Sequence, residues 1–182
     1  MGQRRAEVLR TAIELLDEVG LDGLTMRLLA GRLGVRASAL YRHYPSKQAL
    51  LDAMVAHLVA PPGTPLSLDG PWDELLRGAA TNARALMLAH RDGARLMTTF
   101  QQPSGEAVAV FRALVAALID AGLPEDTAAI AVDTVMAYVN GYTIEEQARK
   151  VGTWPEDRLD HAFRQGLELI IAGIESALPP GR

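Results

Sequence analysis

Residues 25–44 read Thr-Met-Arg-Leu-Leu-Ala-Gly-Arg-Leu-Gly-Val-Arg-Ala-Ser-Ala-Leu-Tyr-Arg-His-Tyr. The apolar positions Leu29, Ala30 and Leu33 recur at helical spacing, and Gly34 then supplies a residue that tolerates positive φ. A second short helix opens at Ala37 or Ser38 and runs through Leu40, Tyr41 and His43. Two helices crossing closely around a glycine turn need a small residue at the contact, and Ala30 provides it. Val35 and Leu40 pin the second helix. That leaves Arg36, Ser38, Ala39, Arg42 and His43 outward, where they can donate to base edges or phosphates in a major groove. An ordinary helical hairpin with a glycine turn satisfies the same pattern, so the segment alone leaves both readings open.

Working outward, Leu9, Ala12, Ile13, Leu16 and Val19 form one stripe and predict a first helix over roughly 4–19, ended by Gly20. Thr25 offers an N-cap for a second helix near 26–33. Pro45-Ser46 breaks the third, and Ser46 caps a fourth that begins at Lys47, carries Leu50, Leu51, Met54, Val55 and Leu58, and ends before Pro61-Pro62-Gly63-Thr64-Pro65. Further helices are expected from Trp72 to Ala89, after His90-Arg91-Asp92-Gly93 to Phe100, over 104–121, from Pro124 to Val151, and from Asp157 to Leu178. Strand signals are poor throughout, so the expected fold class is all-α.

Of the 182 residues, 49% are hydrophobic and 22% charged, enough to bury a core and against gross disorder. The chain has no cysteine, which removes thiolate chemistry and suits a reducing cytoplasm. No apolar run approaches a membrane span, and no signal-peptide pattern opens the chain. The net charge of −4 is unevenly spread. Residues 1–60 hold eight Arg and Lys against six Asp and Glu, and residues 61–182 hold ten against sixteen. A slightly basic head on an acidic body can meet phosphate through one face.

Residues 4–60 resemble the DNA-binding head of the TetR family of bacterial repressors. The shared features are Ala12 with Leu15-Leu16, Gly20-Leu21-Asp22-Gly23-Leu24-Thr25, Leu29-Ala30 with Leu33-Gly34-Val35, Leu40-Tyr41 with His43-Tyr44, and Lys47 with Leu50-Leu51-Asp52. A weaker likeness to the tetracycline-responsive branch covers 71–147 through Trp72, Arg91-Asp92-Gly93-Ala94 and Glu145-Glu146-Gln147. The resemblance implies a three-helix helix-turn-helix head (1–46), joined by a fourth helix to a ligand-binding and dimerisation body (47–182). It implies that Thr25 and Arg27 hold phosphate or reach a base, and that Arg36, Ala37, Ser38 and Ala39 occupy the base-reading face. Tyr41, Arg42, His43 and Lys47 complete the DNA contacts. Arg36, Ala37 and Ala39 stand where tetracycline repressors carry other residue types, so a different operator sequence is expected. Met26 and Leu28 are unusual for this face.

For the body, the resemblance implies a small-molecule effector. Three positions that grip tetracycline and magnesium in that branch are Ala79, Ala83 and Met97 here, which argues against that ligand and for a mostly apolar one. The candidate lining is Asn82, Leu86, Met97, Phe100, Phe111, Met136 and Asn140, with the two asparagines supplying the fixing hydrogen bonds. No cofactor or metal is expected, and no catalytic constellation is present, His90 beside Asp92 falling in a predicted helix break. Phe163, Gly166, Leu167, Ile170, Gly173, Ile174 and Ala177 form a stripe along the last helix, which predicts a homodimer through helices 125–151 and 157–178. The expected activity is a repressor released from a palindromic operator by its ligand. The alternative is a small-molecule sensor or helical interaction protein that does not bind DNA.

Overall fold

The computed structural model describes residues 2–59, 69–149 and 155–179. Among these there is no strand, and nine helices follow in order: α1 (Gln3–Gly23), α2 (Met26–Arg32), α3 (Ala37–Leu40), α4 (Lys47–Val59), α5 (Trp72–Leu88), α6 (Gly93–Met97), α7 (Gly105–Asp120), α8 (Glu125–Ala148) and α9 (Glu156–Ser176). The termini expected at Phe100 and Leu178 retreat to Met97 and Ser176, and Val151 lies outside the described residues. No described helix is long and apolar enough to cross a membrane.

The chain divides into two compact units: Met1–Thr64 with Leu86–Ala107, and Pro65–Ala85 with Val108–Arg182. The first extends well past the sequence-marked head of 1–46, taking in α4 and α6. Its core is apolar and nearly dry: Val8, Ala12, Leu15, Leu16, Leu29, Leu50, Met54 and Leu96 are each at most 1% exposed. Burial of such side chains contributes roughly 1.5–3 kcal/mol apiece. α1 is not one uninterrupted helix. Gly20 sits at φ 75° and ψ 175°, so regular helix stops at Val19, as the glycine predicted, and a further turn runs to Gly23. Val19 is 36% exposed, outside the core stripe assigned to it.

The second unit is built on α8 against α9. Val132, Val135 and Val139 on α8 are fully buried, as are Leu76 and Ala80 on α5. Here the expected interface stripe on the last helix is corrected. Phe163, Leu167 and Ile174 are buried inside their own chain, with Ile171 beside them. Gly166 lies directly beneath Tyr138, where a Cβ would stand 2.2 Å from the phenolic oxygen. Helical spacing marks an apolar face but does not say whether the neighbour is the same chain or a second copy.

Candidate nucleic-acid interface

The turn between α2 and α3 closes by hydrogen bonds that only a left-handed residue allows. The Thr25 hydroxyl oxygen accepts from the Leu28 N–H at 3.1 Å and caps α2. At the other end Gly34 has φ 66°, its N–H reaches the Gly31 carbonyl at 3.2 Å, and the Val35 N–H reaches the Ala30 carbonyl at 3.0 Å. That pair of bonds is a Schellman closure. Nothing lies within 4 Å of where a Gly34 Cβ would stand, so backbone conformation alone demands the glycine.

Beyond it Arg36 is extended and precedes α3 as its N-cap. Leu40 at 1% and Tyr44 at 0% exposure anchor this segment. Tyr44 donates to the Arg5 carbonyl at 3.2 Å, and the Arg5 guanidinium stacks 5.0 Å from its ring centroid. Tyr41 is 48% exposed. Thr25, Arg27, Arg36, Ser38 and Arg42 are exposed too, while Ala37, Ala39, His43 and Lys47 are half-buried. All of these positions fall in the α2–α3 hairpin and the α4 entry. Of the two residues unusual for this face, Met26 turns inward and is buried; Leu28 remains 38% exposed.

Charge pairing sorts the arginines of the first unit. Arg4 pairs with Glu7, Arg10 with Glu14, Arg32 with Glu18 and Arg95 with Asp22. The hydrogen bonds from Arg32 hold Glu18 below the usual carboxylate range, and those from Arg95 do the same for Asp22, with a smaller contribution from Lys47. Arg27, Arg36 and Arg42 have no ion-pair partner among the described residues. Three guanidinium groups thus stand on one hairpin with their donors free for an external acceptor.

A second set of polar contacts, missed at the sequence level, ties both ends of α6 to this head. Asp92 adopts φ 56°, and its carboxylate accepts the Leu21 N–H at 2.9 Å, capping the turn that Gly20 interrupts. Asp17 accepts the Arg91 N–H at 3.0 Å and lies 3.0 Å from His90 Nδ1, so His90 and Asp92 serve two different partners rather than a shared site. At the far end of α6, Gln48 on α4 donates through Nε2 to the Thr99 carbonyl at 2.7 Å and to Asp52 Oδ1 at 2.8 Å. The same Asp52 oxygen accepts the Gln101 N–H at 3.0 Å. The Gln48–Asp52 spacing of four was visible in the sequence, but their partner lies about fifty residues away.

Of the ligand-lining candidates, Leu86, Met97 and Phe100 fall in the first unit, half-buried, buried and exposed respectively. Asn82, Phe111, Met136 and Asn140 fall in the second. Asn82 lies on the exposed side of α5, and Asn140 is half-buried like Phe111 and Met136. The described residues contain no group of three or more His, Cys, Asp or Glu suited to a metal.

Comparison with known proteins agrees with this arrangement. Residues 8–54 match the family model of bacterial regulatory proteins of the tetR family, and residues 64–158 match the tetracyclin repressor-like C-terminal domain. The tetracycline repressor protein class C of Escherichia coli is 35% identical, over 94% of this chain and 90% of its own. Among solved structures, a TetR variant from Acinetobacter baumannii AYE in complex with minocycline is 35% identical with a TM-score of 0.86, covering 96% of this chain and 98% of its own. BioQ bound to its double-stranded DNA operator is 32% identical with a TM-score of 0.79, covering 93% and 96%. The chain belongs to the TetR family of bacterial regulatory proteins: it is a DNA-binding transcriptional regulator rather than an enzyme.

Proposed function

We propose that the protein is a cytoplasmic homodimeric repressor that leaves a palindromic operator when a small, mostly apolar ligand binds. The observation that carries the DNA-binding half is the set of exposed guanidinium groups of Arg27, Arg36 and Arg42, on one hairpin and without ion-pair partners, where Arg4, Arg10 and Arg32 are paired. In this reading Arg36, Ala37, Ser38 and Ala39 face base edges, with Arg27 and Arg42 beside them. Thr25, Tyr41, His43 and Lys47 hold phosphates. The test is a gel shift with the DNA upstream of the protein's own gene. Affinity should fall linearly with salt on logarithmic axes, with a slope of about −0.9 per phosphate neutralised. Lys47→Ala should weaken every duplex alike and flatten that slope by about 1. Binding indifferent to salt would favour a sensor or interaction protein without DNA binding.

The dimer reading rests on the outer faces of α8 and α9. Ile130 and Leu169 are 65% and 77% exposed. Gly141 lies three turns beyond Ile130, Gly173 one turn beyond Leu169, and a Cβ on either glycine would meet nothing within 4 Å. Two such faces pack as a four-helix bundle around a two-fold axis, and the paired heads then meet major grooves about 34 Å apart. Leu169→Glu should convert the dimer to a monomer on sizing; a variant that still elutes as a dimer contradicts this assignment.

Induction then runs through α6. A ligand touching Met97 or Phe100 displaces a helix bonded at its start to Asp17, Leu21 and Asp22 and at its end to Gln48 and Asp52. Lys47 immediately precedes that second anchor. A coupling of about 1–3 kcal/mol between ligand and operator lowers DNA affinity roughly 5- to 150-fold.

A further inference from the structure

From Leu24 to Lys47 the chain contains no Asp, Glu, Asn or Gln. The major-groove edge is read by a small chemical vocabulary. Adenine takes a bidentate Asn or Gln, cytosine donates its amino group to a carboxylate, guanine takes a bidentate guanidinium, and the thymine methyl takes an apolar contact. The first two are missing from this hairpin. The nearest amide, Gln48, has its Nε2 committed to Thr99 and Asp52. The carboxylate paired to the hairpin, Glu18, is occupied by Arg32.

What the hairpin does present is the other half of the vocabulary. Arg27, Arg36 and Arg42 are exposed and unpaired. Ser38 and Arg42, four apart, share the outward side of the helical segment opposite buried Leu40. Ala37 and Ala39 flank them with bare methyl groups, and Leu28 adds an exposed apolar side chain on α2. The hydroxyls of Ser38 and Tyr41 offer single bonds that suit any base, and the Thr25 hydroxyl is already engaged by the Leu28 N–H.

We propose that this surface reads its operator half-site as guanine and thymine only: guanine N7 and O6 through the free arginines, and thymine methyl groups through Ala37, Ala39 and Leu28. This rests on the DNA-binding reading above and specifies what that site recognises. Arg36, the extended N-cap, and Arg42, just past the C-cap Tyr41, bracket the four-residue helix α3, so both guanidinium groups belong to one short element. Their two guanines therefore fall within one half-site.

The test is selection of bound duplexes from a random-sequence library with the full chain, followed by base-analogue substitution in the enriched site. The expected half-site carries at least two guanines, with thymine beside them. Replacing either guanine by 7-deazaguanine, which removes N7 alone, should weaken binding about tenfold, and uracil for thymine about threefold. Arg36→Ala should abolish the 7-deazaguanine effect at one position and Arg42→Ala at the other. An enriched half-site without guanine, tolerance of 7-deazaguanine at every position, or an equal loss with 7-deazaadenine overturns the inference while leaving DNA binding intact. Failure to enrich any sequence overturns the DNA-binding reading and this inference together.

Discussion

Arg84→Ala is expected to cost about 3–5 kcal/mol of stability, because it strands a buried carboxylate. Arg84 on α5 reaches Glu146 on α8 with two bonds, at 2.8 and 2.7 Å, and Asp160 on α9 at 2.6 Å. The side chains of Arg84 and Glu146 are only 11% and 5% exposed. The guanidinium also lies 4.8 Å from the Phe163 ring centroid, and that ring contacts Tyr138 and Tyr142 at 5.5 Å each. Burial alone would push the Arg84 proton off, but the bonds to Glu146 and Asp160 outweigh it and raise its affinity for the proton. The guanidinium is therefore charged at every working pH.

The control is the double variant Arg84→Met with Glu146→Leu. Removing both buried charges leaves only Asp160, which is 45% exposed and can turn to water, so most of the loss should be recovered. Urea denaturation with an unchanged m-value reads both effects. A single variant within about 1 kcal/mol of the parent would contradict the argument. The neighbouring cluster of Arg77 with Asp73 and Glu168 looks similar on paper. Its side chains are 34–47% exposed, and its loss should cost no more than about 1 kcal/mol.

Gly93→Ala is expected to have the other large effect, about 3 kcal/mol, from overpacking against backbone. A Cβ at this position would stand 2.2 Å from the Met87 carbonyl oxygen and 3.1 Å from its carbon. A carbonyl at the end of α5 cannot rotate aside without unmaking the turn into α6. Since α6 is bonded to α1 and α4, the distortion should also weaken operator binding in protein that remains folded. A thermal melt and a gel shift on the same preparation check both parts; an unchanged melting temperature would rule out the clash. Gly166→Ala faces an equally short distance, but to the phenolic oxygen of Tyr138, which can swing away at the cost of its 2.9 Å bond to the Phe163 carbonyl. It should be milder.

The helices and the reading hairpin were legible in the chain because their causes are local. Thr25, Gly34 and Ser46 act on backbone within a few residues, and each does in the structure what its position predicted. The apolar period likewise identified α1, α4, α8 and α9 as amphipathic or buried. Its failures share one origin. Periodicity reports that a face is apolar, not what covers it, so Phe163, Leu167 and Ile174 were assigned to a partner and are covered by their own chain. Met26 was read as outward from its neighbours and turns inward.

The sequence by itself determined an all-α chain, a helix-turn-helix with its glycine turn, and a reading surface free of carboxylates and amides, since each follows from side-chain chemistry within about twenty residues. Only the tertiary structure decided which arginines keep their donors free, that α6 is held to the head at both ends, and that Arg84 is buried with two acids. Those outcomes depend on residues 14 to 76 positions apart meeting in space. An ion pair is a distance and a burial, and neither is written in the order of the chain.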